Sequence, residues 1–252
     1  MKNRVLVPFL VLGALILITG LACGPDTTPT ATTNNNNNGG VVNTQPPAAT
    51  LPPQPTATES IPAYFTEEFN VDFLDNWSYF LTNGTDSDFS LISGNDRLTF
   101  DISGLNTWIY LLYDPYTYTN VRIDARVTNL GKNNNNVSFI CRYTGTDWYE
   151  VNIYNSGLYD ILYGKWNSNS AGASYDTIAD GGSTAIRQGK DTNEYTVFCV
   201  DNIITVYING VEANTVTAKN YGLREGQVGI GVSSFNVTPI TVEFDWVTIS
   251  EP

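Results

Sequence analysis

The chain has 252 residues, with 25 acidic against 12 basic side chains, a net charge of −13, no histidine and three cysteines. Without histidine there is no Ser-His or Cys-His catalytic pair and no His-ligated metal. The acid excess argues against nucleic acid as a partner, and a chain that is 42% hydrophobic and only 15% charged is too apolar to be wholly disordered.

Lys2 and Arg4 precede an almost wholly apolar run from Val5 to Ala22, the pattern of an export signal. The run ends in Gly20-Leu21-Ala22-Cys23-Gly24. This resembles the bacterial lipoprotein box, with Gly20 standing where leucine is usual. The resemblance implies removal of residues 1–22 as a signal peptide and acylation of Cys23. The protein would then be extracytoplasmic and held on the cell membrane by lipid. The alternative is an uncleaved anchor, since the run just reaches spanning length. Residues 23–62 follow as a Thr-, Pro- and Asn-rich tether with no aromatic and only Asp26 and Glu59 charged. Such a stretch cannot bury enough apolar area to offset its chain entropy, so a disordered linker is expected.

Every aromatic residue except Phe9 lies after residue 62. From there period-two alternation recurs between short turn signals, and no window carries a sustained helical stripe. The expected strands are Phe89–Ile92, Arg97–Ile102, Trp108–Tyr113, Val121–Asn129, Val137–Thr144, Trp148–Tyr154, Tyr159–Tyr163, Tyr195–Val200, Ile204–Asn209, Val228–Ser233 and Thr241–Ile249. Asn133 to Asn136 reads as a turn. Trp166 to Gly189 reads as a surface loop carrying short extra strands, and as a rim of a binding site. Many short strands without helices predict an all-β, two-sheet antiparallel sandwich over residues 63–252. Cys141 and Cys199 each fall in a strand, and outside the cytoplasm such a pair is normally oxidised to a disulfide. Two buried free thiols are the alternative.

Several strings in this region are distinctive. Phe139-Ile140-Cys141-Arg142-Tyr143 is followed by Asp147-Trp148-Tyr149-Glu150-Val151 and Gly157-Leu158-Tyr159-Asp160-Ile161. Later come Phe198-Cys199-Val200-Asp201-Asn202, Val206-Tyr207-Ile208-Asn209-Gly210 and Gly226-Gln227-Val228-Gly229-Ile230. Together they resemble concanavalin A-like jelly-roll domains, near the 3-keto-disaccharide hydrolase domain family, as found in surface lipoproteins of the Chloroflexi type. The resemblance implies a jelly roll and is weak for activity, because this fold hosts lectins, hydrolases and inert modules alike. Many jelly-roll glucanases carry Glu-x-Asp-x-(x)-Glu on one strand. Glu243-Phe244-Asp245-Trp246-Val247-Thr248 begins that way but lacks the second glutamate, so a general acid is missing and that chemistry is rejected.

Alternation assigns an outward polar set to three successive strands. In Val121–Asn129 it is Arg122, Asp124, Arg126 and Thr128. In Val137–Thr144 it includes Ser138, Ile140 and Arg142. In Trp148–Tyr154 it is Trp148, Glu150, Asn152 and Tyr154. If these strands are neighbours in one sheet, eight candidates among them (Arg122, Asp124, Arg126, Arg142, Trp148, Glu150, Asn152 and Tyr154) share a face suited to a glycan or polysaccharide, with rings for stacking and planar groups for hydroxyls. A solvated face with weak ion pairs is the competing reading. The turn Asn155-Ser156-Gly157 leaves two registers open: two loop residues would bring Tyr159 and Tyr163 to this face, three would bring Asp160. The leading function is a non-catalytic, surface-tethered carbohydrate-binding or adhesion lipoprotein. One alternative follows from the resemblance: cleavage of 3-keto-glycosides, with Glu150 as base and Arg126 or Arg142 holding an enolate oxygen. The other is a structural envelope module. No cofactor is expected, although Asp245 with Glu67-Glu68 would suit a structural Ca²⁺.

Overall fold

The computed structural model describes Ser60–Pro252, apart from residues 71–72 and 169–171. The signal, Cys23 and all but the last residues of the tether lie outside that range.

In chain order the strands are β1 (Phe65–Glu67), β2 (Trp77–Asn83), β3 (Phe89–Ser93), β4 (Leu98–Ile102), β5 (Trp108–Tyr113), β6 (Val121–Asn129), β7 (Asn135–Tyr143), β8 (Asp147–Tyr154), β9 (Leu158–Trp166), β10 (Ala173–Gly182), β11 (Thr192–Val200), β12 (Ile203–Ile208), β13 (Val211–Thr217), β14 (Gln227–Ser234) and β15 (Ile240–Ser250). They form two antiparallel sheets. The eight-stranded sheet runs β13-β12-β11-β6-β15-β4-β3, with β1 also pairing β15. The seven-stranded sheet runs β10-β9-β8-β7-β14-β5-β2.

Each strand expected from alternation is present. β1, β2, β10 and β13 are additional. β10 and β13 are edge strands with no fully buried position, so they carry little apolar alternation. The stretch read as a loop from Trp166 to Gly189 therefore contains the ten-residue β10. The Asn133–Asn136 turn is shorter than expected, because Asn135 and Asn136 already belong to β7.

The core lies between the sheets. β6 contributes Val121, Ile123, Ala125 and Val127, and β11 contributes Tyr195, Val197 and Cys199. Phe139, Cys141, Tyr149, Val151, Ile230 and Val232 face them from the other sheet. Cys141 and Cys199 form a disulfide, joining β7 of one sheet to β11 of the other. Tight turns follow the sequence punctuation: Asn209 (φ 50°) and Gly210 (φ 78°) are both left-handed, as a two-residue hairpin turn requires.

The chain enters the body through three tyrosines. The hydroxyls of Tyr116, Tyr113 and Tyr118 donate to the successive carbonyls of Ile61 (2.6 Å), Pro62 (2.9 Å) and Ala63 (2.5 Å). This clamp sits at the Tyr113 end of β5.

β6 differs sharply from β7, β8 and β14. It alternates buried with partly exposed residues, whereas the other three are buried at almost every position. The outer face of the seven-stranded sheet is therefore largely covered, and what covers it shapes the site.

Candidate functional site

Strand register lays the outer face of the seven-stranded sheet out in cross-strand rows. In the first row Tyr154 (β8) faces Asn136 (β7), Asn136 faces Ser233 (β14), and Ser233 faces Trp108 (β5). The second row is Asp160, Asn152, Ser138, Gly231, Tyr110 and Phe80. The third is Leu162, Glu150, Ile140, Gly229 and Leu112. Neighbouring positions in a row stand about 4.8 Å apart, so the first row spans about 14 Å from ring to ring.

A cluster of rings buries the third row and Trp148 beyond it. Phe80, on edge strand β2, stacks on Tyr110 (4.9 Å between centroids) and on Tyr143 (5.2 Å), and meets Trp148 and Trp166 edge-on. Two glycines make room. A Cβ on Gly164 would lie inside the Trp148 indole, and one on Gly231 would press on the Tyr110 ring. Beneath these rings Glu150 has no solvent exposure. Its Oε1 accepts the Tyr110 hydroxyl (2.9 Å) and its Oε2 accepts the Trp148 Nε1–H (2.8 Å). Burial pushes the Glu150 carboxyl above its ordinary pKa, and the hydrogen bonds from Trp148, Tyr110, Asn152 and Ser138 offset part of that rise. Burial, with the neighbouring Glu150 charge, also pushes the Tyr110 phenol up.

The first two rows are also largely buried, but part of them lines a cavity. Trp108, Tyr110, Asn136, Asn152, Tyr154, Leu162, Tyr175, Ser233 and Phe235 line a cleft of about 120 Å³. Tyr154 and Phe235 stack at one side (5.8 Å, 23°), and Trp108 and Tyr175 meet edge-on at the other (5.7 Å, 63°). The Asn152 side chain is fixed because its Oδ1 accepts the Ser138 hydroxyl (2.5 Å). The Tyr154 hydroxyl donates to Asp160 (2.7 Å), and burial followed by that carboxylate raises its pKa. Asn136 is only 3% exposed, yet its Oδ1 has no hydrogen-bond partner; the Nε1–H of Trp108 is likewise buried without one. Buried polar atoms in a folded protein are normally paired, so Asn136 and Trp108 stand out among the residues that line the cleft.

The eight sequence candidates separate into three groups. Trp148, Glu150, Asn152 and Tyr154 share a face of β8, but only Asn152 and Tyr154 reach the cleft. Arg122, Asp124 and Arg126 are on β6 in the opposite sheet, which corrects the expectation of one shared face. There Arg122 grips Asp124 with two bonds (2.7 and 2.8 Å) and lies over the Phe198 ring, while Arg126 pairs with Asp245 (3.1 Å). Arg142 is displaced by a β-bulge, at φ 57°, where the register between β7 and β14 shifts. Its guanidinium is buried and donates to the carbonyls of Leu223 (2.8 Å) and Thr119 (3.0 Å), so it ties two loops together. Burial lowers its pKa. A base at Glu150 with an oxyanion partner at Arg126 or Arg142 is therefore not assembled.

The loop Asn155-Ser156-Gly157 has three residues, so Asp160 faces Asn152 and Tyr159 turns into the core. Glu243 and Asp245 sit on the far sheet, each paired with an arginine. Among the described residues no cluster of three or more His, Cys, Asp or Glu is placed to hold a metal. Alternation could not find Trp108 and Tyr110, because Trp108–Tyr113 has no polar position to set its phase. Asn136 was hidden in an asparagine run that reads as a turn.

No family model and no curated protein matches the chain. Solved structures do. A Bacillus subtilis protein of unknown function with a galectin-like fold aligns with TM-score 0.54 at 8% identity, over 74% of this chain and 94% of that one. A Bacteroides ovatus mixed-linkage glucan GH16 protein in complex with its product aligns at 0.53 and 10%, over 74% and 99%. The Bacillus licheniformis β-glucanase aligns at 0.51 and 17%, over 77% and 100%. The domain is a concanavalin A-like jelly roll. At these identities the likeness fixes the fold of the jelly roll, and its chemistry rests on the residues above.

Proposed function

We propose that the protein is a non-catalytic carbohydrate-binding or adhesion lipoprotein, tethered to the cell surface through Cys23, whose binding site is the cleft around Asn136. One observation carries this reading. The row Tyr154-Asn136-Ser233-Trp108 sets an amide and a hydroxyl between aromatic rings, and its amide oxygen is buried and unpaired. Sugars need that combination: rings for the apolar face of a pyranose and planar polar groups for its hydroxyls. The fold supports the reading, since neighbours above include a GH16 protein bound to a glucan product and a β-glucanase.

The non-catalytic part rests on the carboxylates. Hydrolysis of a glycoside takes two carboxyl groups flanking the bond. No Asp or Glu lines the cleft among the described residues, and Glu150 is sealed beneath rings with both oxygens engaged.

The placement of the cleft suits a tethered binder. The tyrosine clamp on residues 61–63 is at the Tyr113 end of β5, and the cleft is at the Trp108 end. Five residues of strand separate them, about 17 Å. A domain held at one pole would thus present the cleft from the other.

The test is a glycan array probed with the protein and with its Asn136→Ala variant. Binding of neutral glycans by the wild type, lost in the variant at unchanged melting temperature, is the expected result. Equal binding by both proteins would move the site elsewhere.

A further inference from the structure

Resting on that reading, we infer that the cleft takes the terminal unit of a neutral glycan, end-on, and does not admit an internal stretch of chain. Three features of the cleft point to a socket.

The first is a strap across the sheet. Tyr175 belongs to β10 at one edge, and Thr82 belongs to β2 at the other. Yet the Tyr175 hydroxyl donates to Thr82 Oγ1 (3.0 Å) and lies 3.2 Å from the Tyr110 hydroxyl. Six strand spacings would separate the two edges by about 29 Å in a flat sheet. The sheet is therefore curled until its edges meet over its own outer face. Gly172, the residue just before β10, closes the approach: a Cβ there would stand 2.8 Å from the Thr82 carbonyl oxygen, so the backbone leading into β10 packs directly on β2. A polymer lying across the sheet would have to pass through this closed seam.

The second is the size of what remains. The cleft holds about 120 Å³, well below the roughly 300 Å³ at which pockets begin to enclose drug-sized ligands. The face beyond it is filled by Phe80, Tyr143 and Trp166. One sugar unit can enter edge-first, and the next must already lie outside.

The third is charge. The cleft lining contains no Lys, Arg, Asp or Glu. The neighbouring Asp160 is committed to the Tyr154 hydroxyl. An acidic sugar would lose its hydration and find no cation, whereas a neutral unit can offer one hydroxyl to Asn136 Oδ1 and another to Trp108 Nε1–H.

The experiment uses oligosaccharide ladders of the cello-, laminari-, malto- and manno-series, from the disaccharide to the polymer, followed by calorimetry with the protein. End recognition requires one protein bound per chain, with affinity per chain independent of chain length. Galacturonate-terminated ladders should bind at least tenfold more weakly than neutral ones. Asn136→Ala should weaken the best ladder tenfold or more, with the same stoichiometry. Several proteins per chain, or affinity rising with length, would overturn end recognition while leaving carbohydrate binding intact. Binding of the galacturonate ladder as tightly as a neutral one would overturn the neutral assignment. No binding to any ladder would overturn the carbohydrate reading and this inference with it.

Discussion

Replacing Cys141 and Cys199 together by alanine should leave a folded protein that melts far lower. The disulfide closes 58 residues of chain, spanning β8, β9 and β10 and most of β11. Without it the unfolded ensemble regains the freedom of that loop, worth about 4 kcal/mol on the chain-entropy model. For a body of this size each kcal/mol moves the melting temperature by about 2–4 °C, so a fall of roughly 8–16 °C is expected. The assay is thermal and urea denaturation of oxidised wild type, reduced wild type and the double variant. Reduced wild type and the double variant should nearly coincide, since both lose the same loop constraint. Either single variant should lose as much as the double. A fall below about 1 kcal/mol would refute the reasoning, because the loop term alone is several times larger.

Glu150→Gln can keep its bond from Trp148 and cannot ionise. Because burial raises the wild-type carboxyl above its unfolded value, wild type should lose stability as pH rises from the ordinary carboxylate range through that raised value. The variant should not, so urea midpoints of the two should diverge upward with pH; parallel curves would contradict the burial argument. Gly164→Ala drives a methyl into the Trp148 indole and should cost about 1–3 kcal/mol, with a changed near-ultraviolet signal from that ring. Arg142→Ala removes two buried charge-assisted bonds to carbonyls and should cost about 2–3 kcal/mol in denaturation, with glycan binding unchanged. Cys23→Ser should leave the protein unprocessed or released from membranes, whereas unchanged mobility and fractionation would favour an uncleaved anchor.

The sandwich was legible because one-sided burial writes itself as alternation. β6 and β11 each face the core on one side and solvent on the other, and their sequences show it. The site was harder to read for the opposite reason. β7, β8 and β14 are buried on both faces, so alternation marks two faces without saying which is covered or by what. The covering rings of Phe80, Tyr143, Trp166 and Tyr175 arrive from four different strands, a long-range fact that local pattern does not hold. Successive strands need not be neighbours, and the step from β6 to β7 crosses between sheets, which separates Arg122, Asp124 and Arg126 from Asn152 and Tyr154. The bulge at Arg142 breaks the period-two phase within one strand, with no glycine to announce it. Asn136 is brought beside Tyr154 and Ser233 by strand pairing, which an asparagine run does not display.

Heteronuclear NMR of the protein titrated with the best-binding neutral oligosaccharide tests the central claim most directly. The side-chain amides of Asn136 and Asn152 and the indole N–H of Trp108 should shift together, while the Arg122 and Arg126 guanidinium signals stay in place. Shifts confined to the Arg122, Asp124 and Arg126 face, with Asn136 and Trp108 unmoved, would contradict it.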